Sequence, residues 1–169
     1  MEFIHMNNIS GAASDNQNEP SFVSEVNLNQ FFVARFTPDQ DLFDSLKELM
    51  REKGLERLLV MSGIGSFKNI TMRDLKLGIE KPVNLDKTNE IIKEGPFELL
   101  SLEGSVVPMD DDLVVHLHGL LGLPDGGVIG GHLFEAQVFT TLELFVAGIT
   151  DIDLNKRRSP ITGLTEYYI

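Results

Sequence analysis

The feature that most constrains the fold is a change in hydrophobic periodicity at Gly54. Before it, Leu42, Leu46, Leu49 and Met50 recur at helical spacing, which predicts one amphipathic helix. After it, apolar residues come in short runs that alternate with polar ones, which is typical of strands. Because helices and strands do not alternate regularly, the sequence predicts an α+β fold with a mainly antiparallel sheet and one prominent helix.

The predicted helix covers about residues 38–53. Thr37 is the expected N-cap, Pro38 occupies the first helical position, and Gln40 completes a capping box. Gly54 is the expected stop, because glycine readily adopts the left-handed conformation that ends helices.

The predicted strands are separated by clusters of Gly, Pro and Asp. They cover residues 31–36, 57–62, 67–75, 97–107, 113–121 and 136–147. The GIGS segment at 63–66 is interpreted as a break between strands, and the polar segment 80–94 as a loop or an edge strand.

Length and composition indicate one domain preceded by a tail. Residues 1–26 are rich in Asn, Ser, Asp and Gln and predict a flexible N-terminal tail, while 27–169 form a single domain of ordinary size. The apolar runs are too short to cross a bilayer, and the N-terminus does not resemble a signal peptide. We therefore expect a soluble cytoplasmic protein without membrane contact.

The charge balance limits the possible partners. The net charge of −12 repels a phosphate backbone unless the few cations cluster, and the one basic run, Lys156–Arg158, is interpreted as a solvated turn. Cysteine is absent, which excludes disulfides and thiolate metal sites.

Three of the four histidines lie within 17 residues. His116 and His118 are two residues apart in a predicted strand, so both imidazoles lie on one face. If the chain turns at Asp125, residues whose numbers add up to 250 lie opposite each other. His132 then faces His118, with Cβ atoms ~5 Å apart, and His116 is its diagonal neighbour.

Three neutral imidazoles with one open position are the ligand set of a catalytic-type zinc site. Other first-row divalent ions accept the same ligands, so the sequence predicts a divalent metal held by His116, His118 and His132, with zinc as the first choice. The alternative is a hydrogen-bonded histidine group without metal, in a polar barrel interior or at a subunit interface.

The same region resembles the PPC (plant and prokaryote conserved) domain family. The resemblance is carried by HLHGLLGLPDGGVIGGHL at 116–133, GPFELLSLEGSV at 95–106 and VFTTLELFV at 138–146, and it covers about residues 28–166. It implies a fold with a duplicated β-α-β-rich motif, similar to acetolactate decarboxylase, and a homotrimer.

The resemblance also bears on function. Plant members carry an AT-hook and bind DNA, whereas prokaryotic members stand alone and are described as candidate DNA-binding proteins. This chain has no Arg-Gly-Arg-Pro core of an AT-hook and resembles the stand-alone prokaryotic type. In the related acetolactate decarboxylase and zinc-dependent ester hydrolase groups, a His-x-His and a later His bind metal, which implies the same role for the three histidines here.

Two further residues are weak catalytic candidates. Arg73 could bind a substrate carboxylate or pair with a surface acid such as Asp74, and the surface pair is slightly favoured. Glu143 could handle protons near the metal, but an acid on an alternating strand is more often simply solvated.

Two hypotheses follow. The first, which we favour, is a non-enzymatic PPC-domain homotrimer that is a DNA-associated or regulatory protein, in which the three histidines hold a structural or interface metal. The net charge of −12 and the missing AT-hook count against direct binding to duplex DNA. The second is a metal-dependent lyase or hydrolase that acts on a small organic acid or ester.

Overall fold

The computed structural model describes residues 22–169. Its elements are β1 (Asn27–Phe36), α1 (Leu42–Lys53), β2 (Leu58–Leu75), a 3-10 turn (Leu85–Lys87), β3 (Thr88–Met109), β4 (Asp112–Gly122), β5 (Val128–Thr150), β6 (Asn155–Arg158) and β7 (Thr165–Tyr168). The predicted fold class, a mainly antiparallel sheet with one prominent helix, is confirmed. Residues 1–21 lie outside the described range, so the flexible tail and its boundary stay predictions.

Helix α1 ends where the sequence predicts but begins four residues later, at position 42 instead of 38. Its N-cap is Asp41, whose carboxylate accepts hydrogen bonds from the backbone N–H groups of Phe43 (2.8 Å) and Asp44 (2.9 Å). Gly54 ends the helix in the left-handed conformation, with φ of 64°.

The predicted cap at Thr37 is wrong because the segment that follows it is tied to β5. The N–H of Asp39 donates to the carbonyl of Val138, and the N–H of Val138 donates to the carbonyl of Gln40, both at 3.0 Å. Thr37 and Pro38 therefore belong to a turn. The Gln40 side chain still accepts from the Thr37 N–H at 2.6 Å, so the expected side-chain bond forms without a helix.

The main sheet closes on itself. Its order is β1-β5-β2-β3-β4, and β4 pairs in addition with β5, all antiparallel. Strand β5 makes closure possible because its first half pairs with β4 and β2 and its second half with β1 and β2. In the described residues the helix of a β-α-β unit occurs once, since β3, β4 and β5 are joined by short turns.

The predicted break between strands at 63–66 is wrong, because β2 runs through this segment without interruption. Gly65 explains the continuity. Its φ is 152°, and a Cβ there would lie 2.2 Å from the carbonyl oxygen of Thr141, so only glycine lets β2 approach β5 so closely. The sequence predicts that the segment 80–94 is a loop or an edge strand. It is a strand only from Thr88 onward, where β3 begins.

The alternation of burial separates the core from the histidines. Met72, Leu117 and Leu133 are no more than 1% exposed and face the interior of the closed sheet. The neighbours of Leu117 and Leu133 in sequence therefore face outward, which places the histidines on the outer face. Full burial of a leucine side chain contributes ~1.5–3 kcal/mol, so these strand positions are strongly fixed.

The C-terminal hairpin β6–β7 covers part of this outer face. The hydroxyls of Ser105 on β3 and Tyr167 on β7 share a hydrogen bond. A small second core of Val107, Ile149 and Leu154 lies beneath the connection to β6. Between residues 22 and 169, no helix has the length and apolar character needed to cross a membrane.

Candidate metal centre

The hairpin of β4 and β5 has the register that the sequence predicts. His118 lies opposite His132, and Leu117 lies opposite Leu133. His116 is two residues before His118 on β4, so its ring is on the same face. The structure thus brings the three predicted histidines together on adjacent strands.

The three rings form a compact group. The ring centroids are 4.6–5.2 Å apart, and one nitrogen from each ring lies within 4.8 Å of the other two. The Nε2 atoms of His116 and His118 are 3.2 Å apart. Nitrogens that bind one tetrahedral zinc at ~2.0–2.1 Å lie about 3.4 Å from each other, so this donor set fits a divalent ion after small ring rotations and leaves one position open.

Burial and nearby positive charges keep the rings of His116 and His132 neutral, which is the protonation state that binds a metal. Burial lowers the pKa of His116 to about 4, and the positive charges of Lys156, His132 and His118 act in the same direction. Burial also lowers the pKa of His132 to about 4, helped by His118 and Lys156 and opposed by Asp74. Both imidazoles are therefore neutral at pH 7, and a metal ion does not have to displace a proton from an imidazolium.

Lys156 is a site residue that the sequence reasoning missed. The side chain belongs to β6, the residue is 2% exposed, and Nζ hydrogen-bonds Nδ1 of His116. Nζ also lies 4.9 Å from the ring centroid of Tyr167. Burial lowers the pKa of Lys156 to about 8. The expected solvated turn is thus wrong for this residue, because hairpin β6–β7 folds onto the sheet.

The contact with Lys156 also orients the His116 ring. Because Nδ1 faces the lysine, Nε2 faces the other histidines. If Nε2 held a metal, the ring proton would be on Nδ1, and Lys156 as a neutral amine would accept a hydrogen bond from Nδ1–H. Because the pKa of Lys156 is lowered to about 8, the neutral amine is well populated near pH 8.

Arg73 lies beside the histidine group but is already paired. It is opposite His132 across β2 and β5, and its guanidinium forms a salt bridge with Glu90. It also lies 5.4 Å from the ring centroid of Phe134, and that ring is 4.7 Å from the ring of His132. The surface pair that the sequence favours is present, with Glu90 as the acid instead of Asp74.

Glu143 does not join the group. It lies in the second half of β5, opposite Arg35 of β1 and Ile64 of β2. It is eleven residues beyond His132, which is roughly 35 Å along the strand. A proton-transfer role for Glu143 at the histidines has no geometric support.

Two surface grooves lie elsewhere. One, of about 510 Å³, is lined by Ile92, Phe97, Leu123 and their neighbours. The other, of about 410 Å³, lies between the 82–84 segment and the 158–163 turn. No histidine lines either of these two grooves. In the single chain His118 is exposed, whereas His116 and His132 are half-buried.

Comparison with known proteins gives a consistent result. Residues 23–150 match the family model of the Plants and Prokaryotes Conserved (PCC) domain. The chain is also 29% identical over 160 residues to the bifunctional protein GlmU of a Synechococcus strain. That match covers 94% of the chain and 23% of the relative, so the chain spans less than a quarter of this curated relative.

Solved structures share the fold over most of the chain. A metal-containing protein from Archaeoglobus fulgidus is 30% identical, with a TM-score of 0.76 and coverage of 88% of this chain and 99% of that one. A plant- and prokaryote-conserved (PPC) protein from Pyrococcus horikoshii is 25% identical, with a TM-score of 0.73 and the same coverage. A protein from Bacteroides thetaiotaomicron that is described as a DNA-binding candidate shares the fold at 21% identity, a TM-score of 0.69 and coverage of 85% and 96%.

Proposed function

The chain belongs to the Plants and Prokaryotes Conserved (PCC) domain family, also abbreviated PPC, and from this premise we propose that it is a metal-binding regulatory module. His116, His118 and His132 hold one divalent ion, with zinc as the first choice. The observation that carries the proposal is the convergence of three ring nitrogens within 4.8 Å. The metal-containing Archaeoglobus relative supports it.

Calorimetric titration of chelator-treated protein with zinc tests this site. One equivalent per chain is expected for the wild type, and none for His132→Ala. The control is His5→Ala, which removes the histidine that lies outside the described residues. Equal binding by the wild type and His132→Ala would contradict the assignment.

We further propose that the module assembles as a homotrimer. Large apolar side chains on the strands are 43–71% exposed in the single chain, an unusual amount for a solvated sheet. They include Ile64, Ile92, Leu100, Leu120, Phe139 and Phe145. Association of copies would remove this surface from water.

Native mass spectrometry tests the assembly. The expected mass is that of three 18.8 kDa chains. Ile64→Lys should favour the single chain, because it places a charge within the apolar strand surface. Leu77→Lys is the matched control, since Leu77 is fully exposed in the loop after β2. A wild-type mass of one chain would refute the trimer.

Direct binding to duplex DNA is the less favoured form of regulation. The net charge is −12, and because Lys156 is buried, the one basic run exposes two cations, Arg157 and Arg158. Binding through phosphates would require a cationic surface. We expect no mobility shift of duplex DNA at micromolar protein and low salt, and a salt-sensitive shift at submicromolar protein would restore this role.

The second candidate is a metal-dependent lyase or hydrolase that acts on a small organic acid or ester. The open position beside three imidazole ligands favours it, because a metal bound there would polarise a carbonyl or activate water. Arg73 would bind a substrate carboxylate only by giving up Glu90. A screen of esters and 2-oxo or 2-hydroxy acids with metal-loaded protein tests this. Turnover in the wild type and none in His118→Ala would establish it.

A further inference from the structure

A carboxylate lies next to the histidine group on the side away from β5. Glu103 of β3 is opposite His118 of β4 in the strand register, so the two side chains share the outer face of the sheet. Directly paired residues have Cβ atoms ~5 Å apart, within easy reach of a glutamate side chain. Glu103 is therefore as close a neighbour of His118 along the sheet as His132 is on the other side.

The Glu103 carboxylate has no cation to neutralise it. It is exposed, and it accepts a hydrogen bond from the Ser101 hydroxyl at 3.3 Å. Within residues 22–169 no salt bridge involves Glu103, whereas Glu90, the acid at the other end of the same row, is paired with Arg73. A carboxylate with free acceptor capacity and no salt-bridge partner thus lies beside His118.

The cations of the site do not cancel this charge. Lys156 contacts Nδ1 of His116, the nitrogen that faces away from the other rings, and the residue is buried. Arg73 is on the far side of His132 and bonded to Glu90. Neither of these two cations therefore pairs with the Glu103 carboxylate.

We propose that Glu103 selects the class of ligand that binds the open position of the metal. A ligand that keeps a hydrogen on or next to its metal-binding atom, such as water, an alcohol or a hydroxamic acid, donates that hydrogen to the carboxylate. A bare anion such as azide has no hydrogen to donate and is repelled. The proposal rests on the proposed metal site and assigns its ligand class.

Cobalt-loaded protein tests the selection, because the visible spectrum of Co²⁺ reports ligands at the open position. The variants are Glu103→Gln and the matched control Glu94→Gln, an exposed carboxylate on the same strand. Metal content is measured first for each protein. Azide and acetohydroxamic acid are then titrated separately.

A hydrogen bond to a charged acceptor is strong enough to change affinity about tenfold or more. We expect Glu103→Gln to bind azide about tenfold more tightly and acetohydroxamic acid about tenfold more weakly than the wild type, with Glu94→Gln unchanged. Equal affinities in Glu103→Gln and Glu94→Gln would overturn the selection. A changed cobalt spectrum or lower metal content of Glu103→Gln without added ligand would also overturn it, by making Glu103 a direct ligand. A wild type that takes up no cobalt would overturn the metal site itself, and the selection with it.

Discussion

Replacing Gly104 with alanine should damage both the fold and the metal centre. Gly104 lies on β3 opposite Leu117, with φ of 153°, and a Cβ there would lie 2.0 Å from the carbonyl oxygen of His116. The backbone conformation costs a non-glycine residue ~1–3 kcal/mol. The displaced His116 carbonyl adds a packing cost of similar size, so we expect Gly104→Ala to lower the free energy of unfolding by about 3 kcal/mol or more.

Two other glycines of the same region separate these contributions. Gly126 has φ of 86° and open space around its Cβ position, so Gly126→Ala carries the backbone cost alone, about 1–2 kcal/mol. Gly119 has ordinary contacts, the nearest at 3.6 Å, and no positive φ, so Gly119→Ala should change stability by less than about 1 kcal/mol. Urea unfolding of the metal-free proteins measures all three.

The metal centre provides a second readout of the same variants. A shift of the His116 backbone moves its ring away from His118, so zinc affinity should fall in Gly104→Ala. Zinc affinity should be unchanged in Gly126→Ala, because Gly126 lies in the turn between β4 and β5. The reasoning would be refuted if Gly104→Ala and Gly119→Ala had the same unfolding midpoint in urea.

Three further predictions concern stability. The metal-free protein should lose stability as the pH falls from about 6.5 to 4, because the histidines of the unfolded chain become protonated near pH 6.5, whereas His116 and His132 of the folded chain stay neutral until about pH 4. The urea midpoint should fall across this pH range, and it should fall less in a His116→Ala, His132→Ala double variant. Lys156→Met should stabilise the metal-free protein at pH 7 but not at pH 11, because burial of the Lys156 ammonium destabilises the folded wild type only at pH values where this lysine is charged. Between about pH 8 and 10.5 the folded chain binds fewer protons than the unfolded chain, so the wild type becomes more stable as the pH rises, and urea unfolding at pH 7 and pH 11 checks the sign. Leu117→Ala should cost ~2–5 kcal/mol in urea unfolding because its side chain is fully buried, whereas exposed Leu77→Ala should cost little, and equal losses would contradict the assignment of the core face.

The local parts of the site could be predicted from the sequence. The turn at Asp125 sets the register of β4 and β5, so counting from it places His132 opposite His118. The same counting applied to the turn between β3 and β4 pairs residues whose numbers add up to 221, which places Glu103 opposite His118. That signal was present, but the breadth of the Pro108–Asp112 turn segment hides the centre of the hairpin.

The remaining parts depend on contacts between distant segments. Lys156 meets His116 only because hairpin β6–β7 folds back across 40 residues of chain, and nothing local to the basic run predicts its burial. The helix begins at Leu42 because the preceding turn bonds to β5, nearly 100 residues away. In each case a tertiary contact overrides the local sequence signal.

The central claim, one metal ion per chain held by three histidines, is tested most directly by elemental analysis. The protein is purified without added metal or chelator, beside His116→Ala, His132→Ala and the control His5→Ala. We expect about one equivalent of zinc or a similar divalent ion in the wild type and in His5→Ala, and none in the other two variants. A wild type that holds no metal even after incubation with excess zinc, or His116→Ala and His132→Ala variants that retain it, would contradict the account.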